Sequence, residues 1–155
     1  MRILIVDDEG GQARQVANAL REVLPDAEFV VCHDEASAEA AIAAQSFDAA
    51  ILDLLLQEEP TLEQQKDLAP PDLGAFEGIR LATALAKKHP RCKAVIVSAS
   101  KIIAKGLLVN LPKTLSNIVD VIDKNLKSIH GGYSYRDYLR FRIATIQRDL
   151  SESGR

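Results

Sequence analysis

The feature of this sequence that most constrains its fold is a pair of short apolar runs that both end in acidic side chains. Residues 2–6 read RILIV and precede Asp7 and Asp8, and residues 49–52 read AAIL and precede Asp53. Runs that are apolar throughout are typical of the inner strands of a parallel sheet, because both faces of such a sheet are covered. Since a carboxylate is costly to bury unless its charge is compensated, the pattern predicts a parallel sheet with a compensated acidic edge.

Amphipathic segments alternate with apolar runs along the chain. Apolar residues recur at helical spacing in residues 12–24, 34–45 and 79–88, and further apolar runs occupy residues 28–33 and 93–98. Strands that alternate with helices of this length form right-handed βαβ units. We therefore expect an α/β protein whose parallel sheet carries helices on both faces.

Three carboxylates are predicted to meet at one edge of this sheet. The carboxyl ends of parallel strands lie along the same edge, which is where open α/β sheets bind ligands, so Asp7, Asp8 and Asp53 should lie close together. Carboxylates in such a cluster raise each other's pKa unless a cation lies among them. The simplest candidate is Mg²⁺, which prefers oxygen ligands and is often shared with phosphate oxygens.

Two further polar residues follow strands in the second half of the chain. The fourth apolar run ends at Ser98, which precedes an alanine, and a weaker run over residues 107–112 ends at Lys113. An acid pair after the first strand, Asp after the third, Ser-Ala after the fourth and Lys after the fifth form a pattern in a fixed order. This pattern is similar to the receiver domain of two-component response regulators, and the resemblance covers roughly residues 1–129.

The resemblance implies a fold and a function. The fold is a flavodoxin-like, doubly wound sheet of five parallel strands in the order 2-1-3-4-5. The function is that of a response regulator receiver, which accepts a phosphoryl group on Asp53 with Mg²⁺ as cofactor and switches a protein–protein interaction. Such a protein is not an enzyme beyond catalysing its own phosphorylation and dephosphorylation. Its partners would be a sensor histidine kinase or phosphotransfer protein and a downstream protein.

The resemblance also assigns roles to the site residues. Asp8 and Asp53 would hold Mg²⁺ together with the backbone carbonyl of Leu55, and Asp7 would act mainly through a bound water. The phosphoryl group on Asp53 would be contacted by Ser98 and Lys113. These two residues complete the site of one metal ion and one phosphoryl acceptor.

The chain departs from the receiver pattern at several places. Residues 57–75 are acidic and about fifteen residues longer than the usual loop, so they form either a solvated insertion or a flap over the site. Residues 100–106 leave room for a fourth helix of at most about two turns. The receiver pattern has Pro after the lysine and an aromatic residue three positions before it, whereas here Pro112 precedes Lys113 and Asn110 takes the aromatic position.

The C-terminal part is predicted to be helical. Apolar spacing predicts an amphipathic helix over residues 114–129, and Gly131 and Gly132 then form a hinge. We therefore expect a receiver domain over residues 1–129 and a helical extension over residues 130–155. The extension carries an apolar stripe that either packs on its own domain or forms a surface for a partner or a homodimer. The stripe consists of Tyr135, Leu139, Ile143, Ile146 and Leu150.

Composition argues against several classes of protein. With a net charge of −3, the chain lacks the positive excess that a general nucleic-acid binder needs. No apolar segment approaches the roughly 20 residues of a membrane span, and the N-terminal run is too short for a signal peptide. We therefore expect a cytoplasmic protein that binds neither nucleic acid nor membranes directly. Cys32 and Cys92 lie in apparent strands without metal-ligand spacing, so both should be reduced core thiols.

Three other functions compete with this interpretation. A pseudo-receiver, which binds partners without being phosphorylated, is the main alternative, but it predicts degraded acid positions. A Mg²⁺-dependent phosphohydrolase would place an Asp-x-Asp pair on the first strand, whereas Asp7 and Asp8 are adjacent. A flavin-binding protein of flavodoxin type would need a loop that cradles phosphate, and residues 9–11 follow two acids that would repel an anion.

Overall fold

The computed structural model describes residues 1–54, 76–99, 115–124 and 134–153. Within these residues, strands and helices alternate up to the fourth strand, as the sequence predicts. The strands are β1 (Arg2–Val6), β2 (Glu28–Cys32), β3 (Ala49–Asp53), β4 (Lys93–Ser98) and β5 (Ile118–Asp123). The helices are α1 (Gly10–Val23), α2 (Glu35–Ala44), α3 (Glu77–Lys88) and α4 (Tyr135–Ser153).

The five strands form one parallel sheet in the order β2-β1-β3-β4-β5. This order confirms the predicted flavodoxin-like fold class. In the register of the sheet, Val6 of β1 lies beside Leu52 of β3, and Asp53 lies beside Val97 of β4. The carboxyl ends of β1, β3 and β4 therefore lie level with one another at the centre of the sheet.

Different pairs of helices cover the two faces of the sheet. Successive residues of a strand point to opposite faces, so alternate positions of β1 and β3 join two separate apolar clusters. One cluster lies under α2 and α3, and the other lies under α1 and α4. The positions of β1 and β3 under α2 and α3 are Leu4, Val6, Ala50 and Leu52, and those under α1 and α4 are Ile3, Ile5, Ala49 and Ile51.

The position of the fifth strand differs from the prediction. The helix predicted over residues 114–129 is wrong, because residues 118–123 form β5, which pairs with β4 along its length. The strand predicted over residues 107–113 and the short helix predicted at residues 100–106 lie outside the described residues. The acidic segment at residues 57–75 lies outside them as well.

A β-bulge explains why the sequence of β5 resembles that of a helix. Ile118 and Asp120 pair with consecutive residues of β4, so Val119 is an extra residue on β5. A bulge of this kind interrupts the alternation of the strand. Ile118 accordingly joins the cluster under α2 and α3, whereas Ile122 joins the cluster under α1 and α4. Without regular alternation, the spacing of these apolar residues matches the helical period.

The predicted C-terminal helix is confirmed as α4, and its apolar stripe packs on its own sheet. Tyr135, Leu139, Ile143 and Ile146 are buried in the cluster that also contains residues of β1, β3, β4 and α1. Arg140 of α4 forms an ion pair with Glu22 of α1 at 3.0 Å. The boundary predicted after residue 129 and the hinge at residues 131–132 lie outside the described part of the chain.

The prediction for the two cysteines can also be compared with the structure. Cys32 and Cys92 are free thiols and both are buried, as expected. Among the described helices, none combines the length and the apolar character that crossing a membrane requires.

Candidate functional site

Three aspartates meet at the carboxyl edge of the sheet. Asp7 and Asp8 follow β1, and Asp53 is the last residue of the neighbouring strand β3. One carboxylate oxygen from each residue lies within 4.8 Å of the other two. The strand ends bring these acids together because β1 and β3 are parallel, adjacent and in register.

The three acids differ in their surroundings. Asp7 and Asp53 are buried, with 4% and 7% of their surface exposed, whereas Asp8 is exposed to solvent. Hydrogen bonds hold both the backbone and the side chain of Asp7. Its backbone N–H donates to the carbonyl of Cys32 at 3.1 Å, and its side chain accepts from the N–H of Glu9 at 2.9 Å. The ring of His33 approaches the Asp7 carbonyl, with 3.0 Å from Nδ1 to the oxygen. Asp8 is therefore the one acid of the three on the solvent side.

Lys124 compensates the two buried carboxylates. It follows the last residue of β5, and its Nζ lies 2.8 Å from Asp7 Oδ2 and 2.8 Å from Asp53 Oδ2. The side chain of Lys124 is only 9% exposed, so both ion pairs are shielded from water. A buried charge is tolerated in proteins when it is paired and hydrogen-bonded. Lys124 and the two aspartates meet this condition for one another.

Electrostatics at this contact favour the charged lysine. Burial alone would lower the pKa of the Lys124 ammonium, but the carboxylates of Asp53 and Asp7 outweigh it and raise the pKa above its usual value. The same charges also act on Tyr135, the first residue of α4. There, burial raises the pKa of the Tyr135 hydroxyl, while nearby Lys124 opposes that rise. The lysine is therefore a permanent positive charge in this site at neutral pH.

The lysine that directly follows β5 is Lys124, whereas the sequence analysis placed Lys113 after the fifth strand. That assignment depended on a fifth strand at residues 107–113, whereas β5 ends at Asp123. Lys113 itself lies outside the described residues. The signal for Lys124 was present in the sequence as a short segment rich in β-branched residues, IVDVID, directly followed by a lysine, but the bulge concealed the strand.

Ser98 lies at the same edge, whereas Leu55 lies outside the described residues. Ser98 is the last residue of β4 and is buried, and its backbone carbonyl accepts the N–H of Lys124 at 2.8 Å. Since Val97 pairs with Asp53, Ser98 is one residue beyond the level of Asp53. The ends of β4 and β5 are thus joined by a hydrogen bond beside the acids.

The start of α3 fits closely against the end of β3. The N–H of Gly78 donates to the carbonyl of Leu54 at 3.2 Å. A Cβ at Gly78 would meet the carbonyl oxygen of Asp53 and would lie 2.9 Å from the Cα of Leu54. The role of Gly78 was not predicted from the sequence, although a glycine directly before a predicted helix is an available signal. Only glycine permits this approach of α3 to the backbone of Asp53.

The oxygen donors of this edge fit a hard divalent cation. Mg²⁺ is usually bound by one or two carboxylates and several waters. Two buried carboxylates and one exposed carboxylate within 4.8 Å of each other match that requirement. The exposed position of Asp8 leaves a solvent side on which waters could complete the coordination. The acidic cluster therefore fits Mg²⁺, as the sequence analysis expected.

Comparisons with known proteins agree with this class of fold. No protein-family model matches the sequence, and no curated protein matches it. Many solved structures are similar, and the similar structures include receiver domains of response regulators. The receiver domain of Francisella response regulator 1452 has a TM-score of 0.66 at 19% identity, covering 96% of this chain and 98% of that chain.

Two further structures extend the comparison. The receiver domain of NtrX from Brucella abortus has a TM-score of 0.61 at 23% identity, covering 93% of this chain and 96% of that one. The response regulator protein TrrA of Thermotoga maritima, in complex with Mg²⁺-BeF, has a TM-score of 0.60 at 19% identity, covering 94% and 97%. The similarity therefore extends past residue 129, where the resemblance seen in the sequence ended. The chain has the fold of response regulator receiver domains.

Proposed function

We propose that this protein is a response regulator receiver that accepts a phosphoryl group on Asp53 in a Mg²⁺-dependent reaction. The observation that carries the proposal is the meeting of Asp7, Asp8 and Asp53 with Lys124 at the carboxyl edge of the sheet. Acids, a lysine and a strand-end hydroxyl in this arrangement are the parts that phosphoryl transfer to a carboxylate requires. The fold shared with receiver domains supports the same conclusion.

The proposed reaction is an in-line displacement at phosphorus. A carboxylate oxygen of Asp53 forms a bond to the phosphorus while the bond to the donor's leaving group breaks. From a phosphohistidine, the imidazole nitrogen leaves with the electron pair and takes up a proton from water. From a small acyl phosphate, a carboxylate leaves instead. The product in both cases is an aspartyl phosphate on Asp53.

Each residue of the site has a distinct proposed role. Asp8 and Asp53 would hold Mg²⁺ with the carbonyl of Leu55, and Asp7 would act mainly through a bound water. When bound, the ion offsets negative charge on the transferred oxygens. Lys124 provides a second positive charge beside Asp53, the role that the sequence analysis gave to Lys113.

Ser98 connects the site to the rest of the protein. We propose that its hydroxyl donates to a phosphoryl oxygen on Asp53. Because the carbonyl of Ser98 already accepts the N–H of Lys124, a shift of Ser98 would also move the start of the segment after β5. A change of this kind at the edge of the sheet would alter the surface that a downstream protein contacts.

The proposed partners follow from this chemistry. A sensor histidine kinase or phosphotransfer protein would donate the phosphoryl group, and a downstream protein would bind the altered surface. The apolar stripe of α4 is buried within its own domain. A homodimer through α4 would therefore use the side of the helix that faces away from the sheet, where Phe141 is 69% exposed.

The decisive experiment compares two aspartates of the same strand region. Asp53→Asn should abolish phosphorylation by acetyl phosphate with Mg²⁺, because the amide is not a competent nucleophile, and intact mass spectrometry would measure the incorporation. Asp48→Asn is the control. Asp48 lies at the opposite end of β3, where it is exposed and far from the acid edge, so this variant should be labelled like the wild type.

The same experiment distinguishes a receiver from a pseudo-receiver. A pseudo-receiver would show no incorporation in either variant or in the wild type, while circular dichroism shows all three to be folded. Incorporation that persists in Asp53→Asn would overturn Asp53 as the acceptor. The pseudo-receiver interpretation is not favoured, because Asp7, Asp8 and Asp53 are all retained and lie together.

A further inference from the structure

We infer that the ammonium group of Lys124 is the built-in counter-cation of the acid site and that it competes with a divalent metal ion for Asp7 and Asp53. In this view, Lys124 stabilises the protein before metal binds and at the same time lowers its affinity for metal. The inference concerns the site of the proposed function, but it is tested with metal alone and without any phosphoryl donor. Failure of one can therefore be told from failure of the other.

Lys124 and a metal ion would need the same carboxylates. Nζ contacts one oxygen each of Asp7 and Asp53 at 2.8 Å. The side chains of Asp7 and Asp53 are 5% and 10% exposed. Two carboxylates that share one ammonium keep a single net negative charge, so they attract a divalent ion less strongly than they would without Lys124. An ion held by these residues would lie within a few ångströms of the ammonium, where like charges repel.

The backbone prevents Lys124 from leaving the site. Its N–H donates to the carbonyl of Ser98 at 2.8 Å, and the preceding residue, Asp123, pairs with Ser98 in the sheet. The Cα of Lys124 is therefore fixed at the end of β5. Only the side chain can move, so its positive charge stays close to the acids even when the contact with one of them is lost.

Because Lys124 both compensates the acids and repels a metal ion, replacing it should lower the stability without metal and raise the affinity for Mg²⁺. Replacing Lys124 by a neutral residue leaves buried carboxylates uncompensated, which lowers stability in the absence of metal. The same replacement removes a repelling charge, which tightens the binding of Mg²⁺. If Lys124 served only to hold the fold, its replacement would lower the stability without tightening Mg²⁺ binding. If it served only to contact a phosphoryl group, its replacement would change neither quantity.

The test is a Mg²⁺ titration by isothermal calorimetry at fixed pH. Lys124→Met should bind Mg²⁺ at least about tenfold more tightly than the wild type, because one unit charge is removed from the immediate surroundings of the ion. Lys124→Arg, which keeps the charge, should show no gain in affinity. Lys93→Met is the control for net charge. Lys93 begins β4, at the opposite end of the strand from Ser98, and its removal should leave the affinity unchanged.

Thermal denaturation of the same variants completes the test. Without metal, Lys124→Met should melt at a lower temperature than the wild type. In saturating Mg²⁺, the difference should shrink or reverse. Equal or weaker Mg²⁺ binding by Lys124→Met overturns the inference, and so does an equal gain in Lys93→Met.

A measurement on the wild type keeps the inference testable if Lys124→Met does not fold. The ¹⁵N signal of a buried, ion-paired lysine ammonium is distinguishable from those of exposed lysines, and Lys124→Arg assigns it. Adding Mg²⁺ should shift or broaden this signal, because the contact with the aspartates weakens. A signal that stays unchanged at saturating Mg²⁺, or the absence of Mg²⁺ binding in every variant, overturns the inference. The labelling of Asp53 remains a separate question.

Discussion

Gly78 lies where α3 meets the backbone of Asp53, so we expect Gly78→Ala to destabilise the protein and to disturb the acid edge. A methyl group at Gly78 has to displace backbone atoms of Asp53 and Leu54 rather than a flexible side chain. Overpacking of this kind typically costs about 1–3 kcal/mol. Urea denaturation would measure the free energy of unfolding, and a Mg²⁺ titration under folded conditions would report on the acids.

Gly11→Ala is the matched control for this substitution. Gly11 also lies in the first turn of a helix, but a Cβ there would meet nothing within 4 Å. Alanine at this position should therefore leave the protein unchanged or stabilise it by up to about 1 kcal/mol. If both variants lose the same stability, the close contact at Gly78 is not the reason for the loss.

Single residues also show how far the sequence predicts the site. Asp7, Asp8, Asp53 and Ser98 could be placed in advance, because each ends a run that is apolar throughout and the parallel sheet brings such ends together. Lys124 could not, since its strand is hidden by the bulge at Val119 and an earlier apolar run, residues 107–112, also precedes a lysine. The roles of these residues in phosphoryl transfer stay predictions.

Between elements, a polar contact joins the edge strand β5 to helix α4. The hydroxyl of Tyr138 donates to Asp120 Oδ2 at 3.1 Å, and Arg142 Nε lies 3.2 Å from the same oxygen. Arg142 also donates to the backbone carbonyl of Val119 at 2.8 Å. The contact therefore fixes the bulge of β5 against α4, on the strand that directly precedes Lys124.

We expect Tyr138→Phe to destabilise the protein only while Asp120 is present. The lost hydrogen bond is partly exposed, so the cost should be about 0.5–1.5 kcal/mol. A double-mutant cycle with Asp120→Ala, measured by urea denaturation, isolates the interaction between the two side chains. Additive effects of the two substitutions would show that the hydroxyl and the carboxylate do not interact measurably in solution.

The helices and strands differ in how well the sequence predicts them. Strands β1, β3 and β4 are buried on both faces, so their sequences are continuously apolar and easy to recognise. The stripe of α4 was found because its residues keep the helical period over about four turns, from Tyr135 to Leu150. Edge strand β5 has neither property, since polar positions and an extra residue interrupt it. Its sequence therefore fits a helix as well as a strand.

For the protein as a unit, we expect Mg²⁺ to raise the melting temperature. A ligand that binds only the folded state stabilises it by mass action, by about 2.7 kcal/mol at a concentration of 100 times its Kd. Asp8→Ala should remove most of this response. Because Asp8 is exposed, its loss should change the stability without Mg²⁺ very little, and differential scanning calorimetry would measure both quantities.

Asp26→Ala provides the comparison for the Mg²⁺ response. Asp26 is an exposed aspartate in the turn between α1 and β2, which lies at the end of the sheet opposite the acid edge. Its replacement should leave the rise in melting temperature intact. A rise that survives Asp8→Ala, or that disappears equally in both variants, would point to binding of Mg²⁺ elsewhere on the surface.

The packing of α4 against α1 has a consequence for how the chain folds during synthesis. The ribosome makes α1 early and α4 only after all five strands, yet the two helices cover the same face of the sheet. Until α4 emerges, α1 covers only part of the sheet face that carries Ile3, Ile5 and Ile51. Contacts between residues so distant in the sequence slow folding, and a nascent chain with exposed apolar surface is prone to aggregate. We therefore expect the nascent chain to resist proteases only once α4 has left the ribosomal tunnel.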